Sequence, residues 1–236
     1  MIFKNDNEAI AYLKKNETLS EDFKEMREYS STLKALVNGD DFIDELINKI
    51  DGIESSLKAK AREKYSRSVK DLFSRLFQPI DNIYYATGGV KDYDIQSQTT
   101  KTNYLKHIAN IRDNKTLSEW VQTYAIQLYN TDPNGVIFLE YKTIPKVDVY
   151  PTYKSSSKIR YYEAKGQLVD YIIFEPKVKN QKTYVRIVDD LIDRTFEKNG
   201  NDYVLVEELT FKHPFGQVPA VICSNIQLAK KKKKLA

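Results

Sequence analysis

The side chains that could carry catalysis are few in this chain of 236 residues. His107 and His213 are the only histidines, and neither has a Cys, Asp or Glu at zinc-ligand spacing. Cys223 is the single cysteine, and with His213 it could form a nucleophile and base pair. Because an unpaired cysteine is usually a small buried side chain, we expect Cys223 in a strand from Ala220 and His213 in a loop.

Three carboxylates close together could bind a hard cation. Asp189, Asp190 and Asp193 lie within five positions, but Leu191 and Ile192 interrupt the alternation of oxygen ligands that a calcium loop needs. We therefore expect a turn between two strands at this point.

The Thr87-Gly88-Gly89 segment is a candidate for phosphate or dinucleotide binding. It lacks the Lys-Ser/Thr pair of a phosphate loop and the spacing of a dinucleotide-binding glycine motif, so it predicts a turn. With no complete constellation for catalysis, we predict no enzyme activity, no cofactor and no metal.

Charge offers one further candidate, a run of five lysines near the end of the chain. The formal net charge is +4, and because this run contributes five positive charges the remainder carries −1. The run could contact DNA or RNA without sequence preference, although the closing Lys-Leu-Ala is also typical of a vector-derived tail. The lysines are Lys230, Lys231, Lys232, Lys233 and Lys234.

Helices are predicted in the first part of the chain. Thr18-Leu19-Ser20-Glu21 has the form of a capping box, which predicts a helix from Glu21 to Val37. After Gly39, apolar residues at three- and four-residue spacing predict one long amphipathic helix that Pro79 ends. Its apolar positions are Phe42, Leu46, Ile50, Ile53, Leu57, Ala61, Tyr65, Val69, Leu72, Phe73 and Leu76.

The middle of the chain has a weaker pattern. Residues Asp81 to Asp113 lack a clear period and are predicted to be loop. Thr116-Leu117-Ser118-Glu119 repeats the capping-box form and predicts a short helix to about Tyr129.

Beyond the turn signal Asp132-Pro133-Asn134-Gly135 the pattern becomes that of strands. Short links between successive strands indicate antiparallel pairing, with hairpin turns at 164–166 and 198–202. We therefore predict an α+β fold: residues 1–135 mainly helical, residues 136–226 an antiparallel β meander, and residues 227–236 a lysine-rich tail. The predicted strands are Val136–Tyr141, Lys158–Glu163, Gln167–Phe174, Lys182–Val188, Leu191–Glu197 and Tyr203–Phe211.

The cellular compartment follows from what the sequence lacks. A single cysteine rules out a disulfide within the chain, the first residues lack the apolar core of a signal peptide, and no stretch approaches about 20 apolar residues. We expect a soluble intracellular protein with no membrane contact.

Three segments resemble portal proteins of tailed bacteriophages and prophages. The first runs from Lys64 to Gly89 and contains Arg75-Leu76-Phe77-Gln78-Pro79; the second is Thr131 to Glu140. The third, His213-Pro214-Phe215-Gly216-Gln217-Val218-Pro219-Ala220-Val221-Ile222 with Asn225, follows the strands and is similar to the end of a portal wing.

The resemblance implies a structural component of a head-tail connector. In that family a homo-oligomeric ring, a dodecamer, occupies one capsid vertex, a terminase drives DNA through its channel, and capsid and head-completion proteins attach to it. The implied location is the virion, and the host cytoplasm during assembly. Since the segments expected to form stem, clip and crown are missing, the chain is expected to be a front fragment with a wing-like fold.

A nucleic-acid-binding module is the alternative, because 17 Tyr and 10 Phe could stack on bases beside the lysine run. If the run alone contacts DNA, deleting Lys230 to Ala236 removes measurable affinity. Binding by the intact chain then falls with salt at a log–log slope of about −4 to −5, since about five phosphates are neutralised. Fluorescence anisotropy with a labelled duplex measures both. Retained affinity after deletion would instead assign binding to the body of the chain.

Overall fold

The computed structural model describes residues 2–38, 95–126, 131–142, 148–165 and 168–222. The long helix predicted before Pro79, the turn predicted at Thr87, Cys223 and the lysine run lie outside these residues. The chain divides into two compact units, one formed by Met1–Arg27 with Pro133–Ala236 and the other by Glu28–Asp132.

Two helices begin the described chain, α1 (Asp6–Lys15) and α2 (Glu21–Asn38). Asn5 caps α1, because its side chain accepts the amide of Glu8 at 3.0 Å. The prediction of a helix from Glu21 is confirmed. The Ser20 carbonyl accepts the amide of Lys24 at 3.0 Å, which places Ser20, and not Thr18, at the N-cap.

A third helix, α3 (Gln98–Ala109), corrects the loop predicted between Asp81 and Asp113. Ser97 caps it, since the Ser97 hydroxyl accepts the amide of Thr100 at 3.4 Å. No side chain of α3 is buried, and the large apolar residues Tyr104, Leu105 and Ile108 are confined to its second half, too few to repeat over several turns. A search for apolar periodicity therefore cannot detect it.

The second predicted capping box is confirmed at α4 (Leu117–Trp120). The Thr116 hydroxyl accepts the amide of Glu119 at 3.2 Å, and the Glu119 carboxylate accepts the amide of Thr116 at 2.7 Å. From Val121 to Ile126 the chain continues as a π-helix, so the predicted short helix is present in the described residues but changes its helix type after Trp120. An apolar pattern over so few residues does not distinguish the two helix types.

In the described residues ten antiparallel strands follow, and they form two sheets. One sheet has the order β10-β1-β2, and the other has the order β3-β4-β6-β7-β8, with β5 paired to β6 and β9 paired to β7. The predicted α+β fold, with helices before an antiparallel β meander, is confirmed. The strands are β1 (Val136–Lys142), β2 (Asp148–Lys154), β3 (Ile159–Lys165), β4 (Leu168–Phe174), β5 (Lys177–Lys179), β6 (Lys182–Val188), β7 (Ile192–Asn199), β8 (Asp202–Leu205), β9 (Phe211–Lys212) and β10 (Ala220–Ile222).

Three strands differ from the prediction. Strands β2 and β5 were not expected, and the single strand expected from Tyr203 to Phe211 is divided into β8 and β9 by a 3₁₀ helix at Glu207–Leu209. The division has a physical cause. The chain leaves the edge of β7 after Leu205 and returns at Phe211 to pair with Asp193.

Two hairpins have tight turns. Asn199 pairs with Asp202, and Gly200 between them has φ of 62°, which confirms the turn predicted at 198–202. Between β5 and β6, Asn180 and Gln181 have φ of 51° and 62°, the left-handed conformation that two-residue hairpins favour. The turn predicted at 164–166 falls partly outside the described residues.

The larger sheet is apolar on both faces. One face packs on Phe3 and on Ala9 and Leu13 of α1; the other packs on β1 and β10 and on Phe23 and Met26. Burial on both faces makes the larger sheet the centre of this unit. The first face is formed by Tyr171, Ile173, Val185, Ile187 and Phe196, and the second by Ile159, Tyr162, Ile172, Phe174 and Val188.

The position of Phe196 makes a stability prediction possible. Its side chain is 0% exposed in β7, an interior strand of the larger sheet, so Phe196→Ala leaves a cavity and is expected to lower the free energy of unfolding by about 3–5 kcal/mol. Val204→Ala on neighbouring β8, where Val204 is 54% exposed, is the control and is expected to change it by less than about 0.5 kcal/mol. Urea unfolding followed by circular dichroism measures both. Equal changes in the free energy of unfolding for the two variants would contradict a core that packs on both faces of the larger sheet.

Candidate functional site

The unit formed by Met1–Arg27 with Pro133–Ala236 is here called the β unit, and its main concentration of buried charge among the described residues lies between the two sheets. It consists of Glu140 on β1, Lys154 on β2, Arg186 on β6 and Asp193 on β7, here called the inter-sheet ion cluster. The four side chains are between 4% and 24% exposed. Two acids and two bases balance one another, as burial of charge requires.

Arg186 is the centre of the cluster because it bonds to a carboxylate from each sheet. Its Nη2 donates to Glu140 Oε2 at 2.9 Å and its Nη1 to Glu140 Oε1 at 3.3 Å. Its Nε donates to Asp193 Oδ1 at 2.9 Å and to Oδ2 at 3.1 Å. Lys154 donates a further hydrogen bond to Glu140. A planar guanidinium suits this double pairing, which an ammonium group could not reproduce.

Two aromatic rings form the apolar side of the cluster. The guanidinium carbon of Arg186 lies 5.0 Å from the ring centre of Phe138 and 5.1 Å from that of Phe174. Lys154 Nζ lies 5.9 Å from each ring centre. The rings meet edge to face at 5.2 Å, so both cations lie over aromatic faces that favour positive charge.

The pKa values of the cluster show how strongly the charges depend on one another. Burial would raise the pKa of Glu140, but Arg186 and Lys154 outweigh it and lower that pKa to about 2. Burial lowers the pKa of Lys154 and raises that of Asp193, in each case against the neighbouring opposite charge. Glu140 is therefore ionised at neutral pH and a poor general base, and the geometry is that of a structural connection.

The predicted turn at Asp189 and Asp190 is confirmed, and its carboxylates have separate partners. Asp189 Oδ1 accepts the amides of Leu191 and Ile192 at 2.8 and 2.7 Å, and its Oδ2 accepts from Arg194 Nη1 at 2.8 Å. Arg194 Nε also donates to Asp6 of α1 at 2.9 Å.

The other two carboxylates of the predicted group face elsewhere. Asp190 accepts the amide of Ile2 at 3.1 Å, and Asp193 belongs to the inter-sheet ion cluster. The structure does not bring Asp189, Asp190 and Asp193 to one point. Within the described ranges, no group of three or more His, Cys, Asp or Glu side chains is arranged to hold a metal ion.

His213 is buried and joins the loop before β10 to this turn. Its ring Nε2 lies 2.9 Å from the carbonyl oxygen of Asp189, its amide donates to Leu191 O at 2.9 Å, and its ring centre is 5.5 Å from that of Phe215. The loop position predicted for His213 agrees with the structure. Its imagined partner Cys223 lies beyond the described residues, and His107 is exposed on α3.

Sequence reasoning missed the residues at the centre of the site. Glu140 and Arg186 were not singled out, although a strand places residues two apart on one face. Glu140 shares a face with buried Phe138, and Arg186 shares one with buried Val188. A charge at an inward strand position was the available signal, and it predicts a buried partner of opposite sign.

A second group of paired charges connects the helices to β3 and the end of β4. Glu175 accepts hydrogen bonds from Arg27 of α2 and from Arg160 of β3, the latter at 3.0 Å. Arg160 also donates to the carbonyl of Glu17 at 2.9 Å. Burial opposes ionisation of Glu175, but the two arginines lower its pKa.

Comparison with known proteins adds no family: no family model and no curated protein matches this chain. In the part of the chain that the structure describes, no helix is long and apolar enough to cross a membrane.

The lowered pKa of Glu140 predicts a pH-dependent contribution to stability. Because its pKa of about 2 lies below the ordinary 4.5, the paired carboxylate stabilises the fold above pH 4.5, and this stabilisation is lost as the pH falls towards 2. Glu140→Gln is expected to cost on the order of 3 kcal/mol at pH 7 and far less near pH 2. Urea unfolding of both proteins at pH 7, 4.5 and 2.5 measures the difference.

The matched control is Glu208→Gln, since Glu208 is exposed on a 3₁₀ helix. It is expected to leave stability nearly unchanged at each pH. A constant penalty for Glu140→Gln from pH 7 to 2.5 would show that the Glu140 charge does not carry the effect.

Proposed function

We propose that this chain is a structural component of a tailed-bacteriophage portal, contributing a wing-like part to the ring at one capsid vertex. As part of that proposal it assembles with copies of itself, a dodecamer in the family it resembles. It meets terminase, capsid and head-completion proteins, and DNA passes through the channel of the ring. The proposed location is the virion, and the host cytoplasm during assembly.

The observation that carries the proposal is the pairing of two segments that resemble portal proteins. The segment ending in Glu140 supplies β1 and the segment beginning at His213 supplies β10. Val136 pairs with Ile222 and Phe138 with Ala220 in one antiparallel ladder. Two stretches chosen for sequence resemblance, far apart in the chain, therefore form one structural element.

The polar contacts around this element support a role as a structural scaffold. Glu140 joins β1 to the larger sheet through Arg186, and His213 joins the loop before β10 to the turn at Asp189. The Asn134 side chain donates to the carbonyl of Met26 on α2 at 3.1 Å. Polar side chains are used to connect elements, as expected of a scaffold.

The alternative of a nucleic-acid-binding module has weaker support. Stacking on bases needs exposed aromatic rings, but many Tyr and Phe side chains of the described residues are buried in the two cores. These include Phe3, Phe23, Phe138, Tyr162, Tyr171, Phe174, Phe196 and Tyr203.

Removal of the gene from a lysogen tests the proposal. A portal component is needed for DNA entry, so induced cells lacking the gene are expected to form capsid shells without nuclease-protected DNA. Quantitative PCR on nuclease-treated particles and negative-stain microscopy provide the two measurements. A plasmid copy of the gene is expected to restore filled particles, and gold-labelled antibody against the chain is expected at a single vertex.

Normal DNA content in shells from the deleted strain would contradict the proposal. Label distributed over the whole capsid, or absent from purified particles, would contradict it as well.

A further inference from the structure

Three lysines lie on one face of the hairpin that β5 and β6 form. Lys177 pairs with Tyr184, and Lys179 pairs with Lys182. Directly opposite residues of an antiparallel pair share a face, as do residues two apart along a strand, so the three lysines project together. All three are exposed. Lys182 bonds to Glu197 at 2.9 Å, whereas Lys177 and Lys179 have no ion pair within the described residues.

A fourth lysine extends this positive charge towards β3. The amide of Glu175 donates to the carbonyl of Lys158 at 2.9 Å, which places Lys158 opposite a residue that precedes Lys177 by two positions. Lys158 is exposed, and the hydroxyls of Ser155 and Ser157 lie 2.8 Å apart at the surface beside it. The basic edge is the name used here for Lys158, Lys177, Lys179 and Lys182.

The carboxylates next to the basic edge are already bonded to other cations. Glu175 bonds to two arginines, and Glu140 bonds to both Arg186 and Lys154. Burial is the main cause of the lowered pKa of Lys154, and the positive charges of Arg186 and Lys177 contribute to it. The basic edge therefore keeps a local excess of positive charge, although the chain without its lysine run carries a net charge of −1.

The polar character of this surface favours a nucleic acid over a protein as its ligand. Protein interfaces are depleted in lysine and depend on apolar anchors, but the exposed apolar residue of this hairpin, Val178, lies on its other face. Phosphate oxygens accept from lysines, hydroxyls and side-chain amides, and exposed Asn180 and Gln181 add two amides at the turn. Lys177 and Lys179 are about 6.6 Å apart along β5, close to two phosphate steps of about 3.4 Å on one DNA strand.

We propose that the basic edge binds the phosphate backbone of a nucleic-acid duplex without sequence preference. Lys177 and Lys179 contact phosphates, Lys158 contacts a further phosphate from the neighbouring strand, and Lys182 keeps its bond to Glu197. This binding needs no stacking on bases. It is independent of the portal role and of the lysine run at 230–234, since it is argued from the register, exposure and charge of the β unit alone.

The salt dependence of DNA binding by the full chain tests the proposal, with fluorescence anisotropy of a short labelled duplex as the measurement. Lys177→Gln combined with Lys179→Gln is expected to weaken binding at least about tenfold at low salt and to reduce the log–log salt slope by about 2, because counterions of two phosphates are no longer released. Lys165→Gln combined with Lys212→Gln is the matched control. It removes the same charge from exposed positions at the opposite end of the larger sheet and is expected to leave the slope unchanged.

Methyl NMR of the full chain locates the contact independently of the lysine run. The Val178 methyl groups, between Lys177 and Lys179 on β5, are expected to shift saturably as the duplex is added, whereas those of exposed Val221 on β10 stay in place. An unmoved Val178 signal, or an equal loss of affinity in the two double variants, would overturn the proposal. So would displacement of the duplex by polyglutamate at matched charge, because an acidic protein segment would then be the better ligand. None of these results alters the packaging test of the portal role.

Discussion

The β unit depends on one arginine that bonds to carboxylates from two sheets. Arg186 on β6 holds Asp193 of the adjacent strand and reaches across the sandwich to Glu140 on β1. Strands β1 and β10 pack on the larger sheet through buried apolar side chains such as Val136, Phe138 and Ile222, and apolar contact of this kind has no preferred direction. A directional double ion pair between aromatic rings supplies that orientation, because the guanidinium bonds only in its own plane.

The same kind of pairing recurs at the other buried carboxylates of the described part of this unit. Each buried carboxylate is matched by an arginine: Glu140 and Asp193 by Arg186, and Asp189 by Arg194. Burying such a pair costs desolvation free energy, which the attraction between the charges offsets when their geometry is good. The pair therefore defines the arrangement of the elements more than it adds stability. A ring component has to keep its shape while neighbouring proteins attach to it. A defined arrangement of elements is therefore consistent with the proposed role in a ring.

Local sequence signals predicted the fold correctly where they depend on the chemistry of a few neighbouring side chains. The capping box at Thr116 and the turn at Gly200 were predictable, because each depends on a few neighbouring side chains. Helix α3 was not, since it buries no residue and lacks a period. The ion cluster was not, because pairing of Glu140 with Arg186 depends on how two sheets pack, which no local pattern contains.

A double-mutant cycle on Glu140 and Arg186 tests the central claim most directly. Unfolding free energies at pH 7 are measured for the wild type, Glu140→Met, Arg186→Met and the double variant. If the pair joins the sheets, each single change leaves an uncompensated buried charge. The double change is then expected to cost less than the sum, with a coupling energy of about 1–3 kcal/mol. If the losses of unfolding free energy in the two single variants add up to that of the double variant within about 0.5 kcal/mol, the claim is contradicted, because the two charges then act independently.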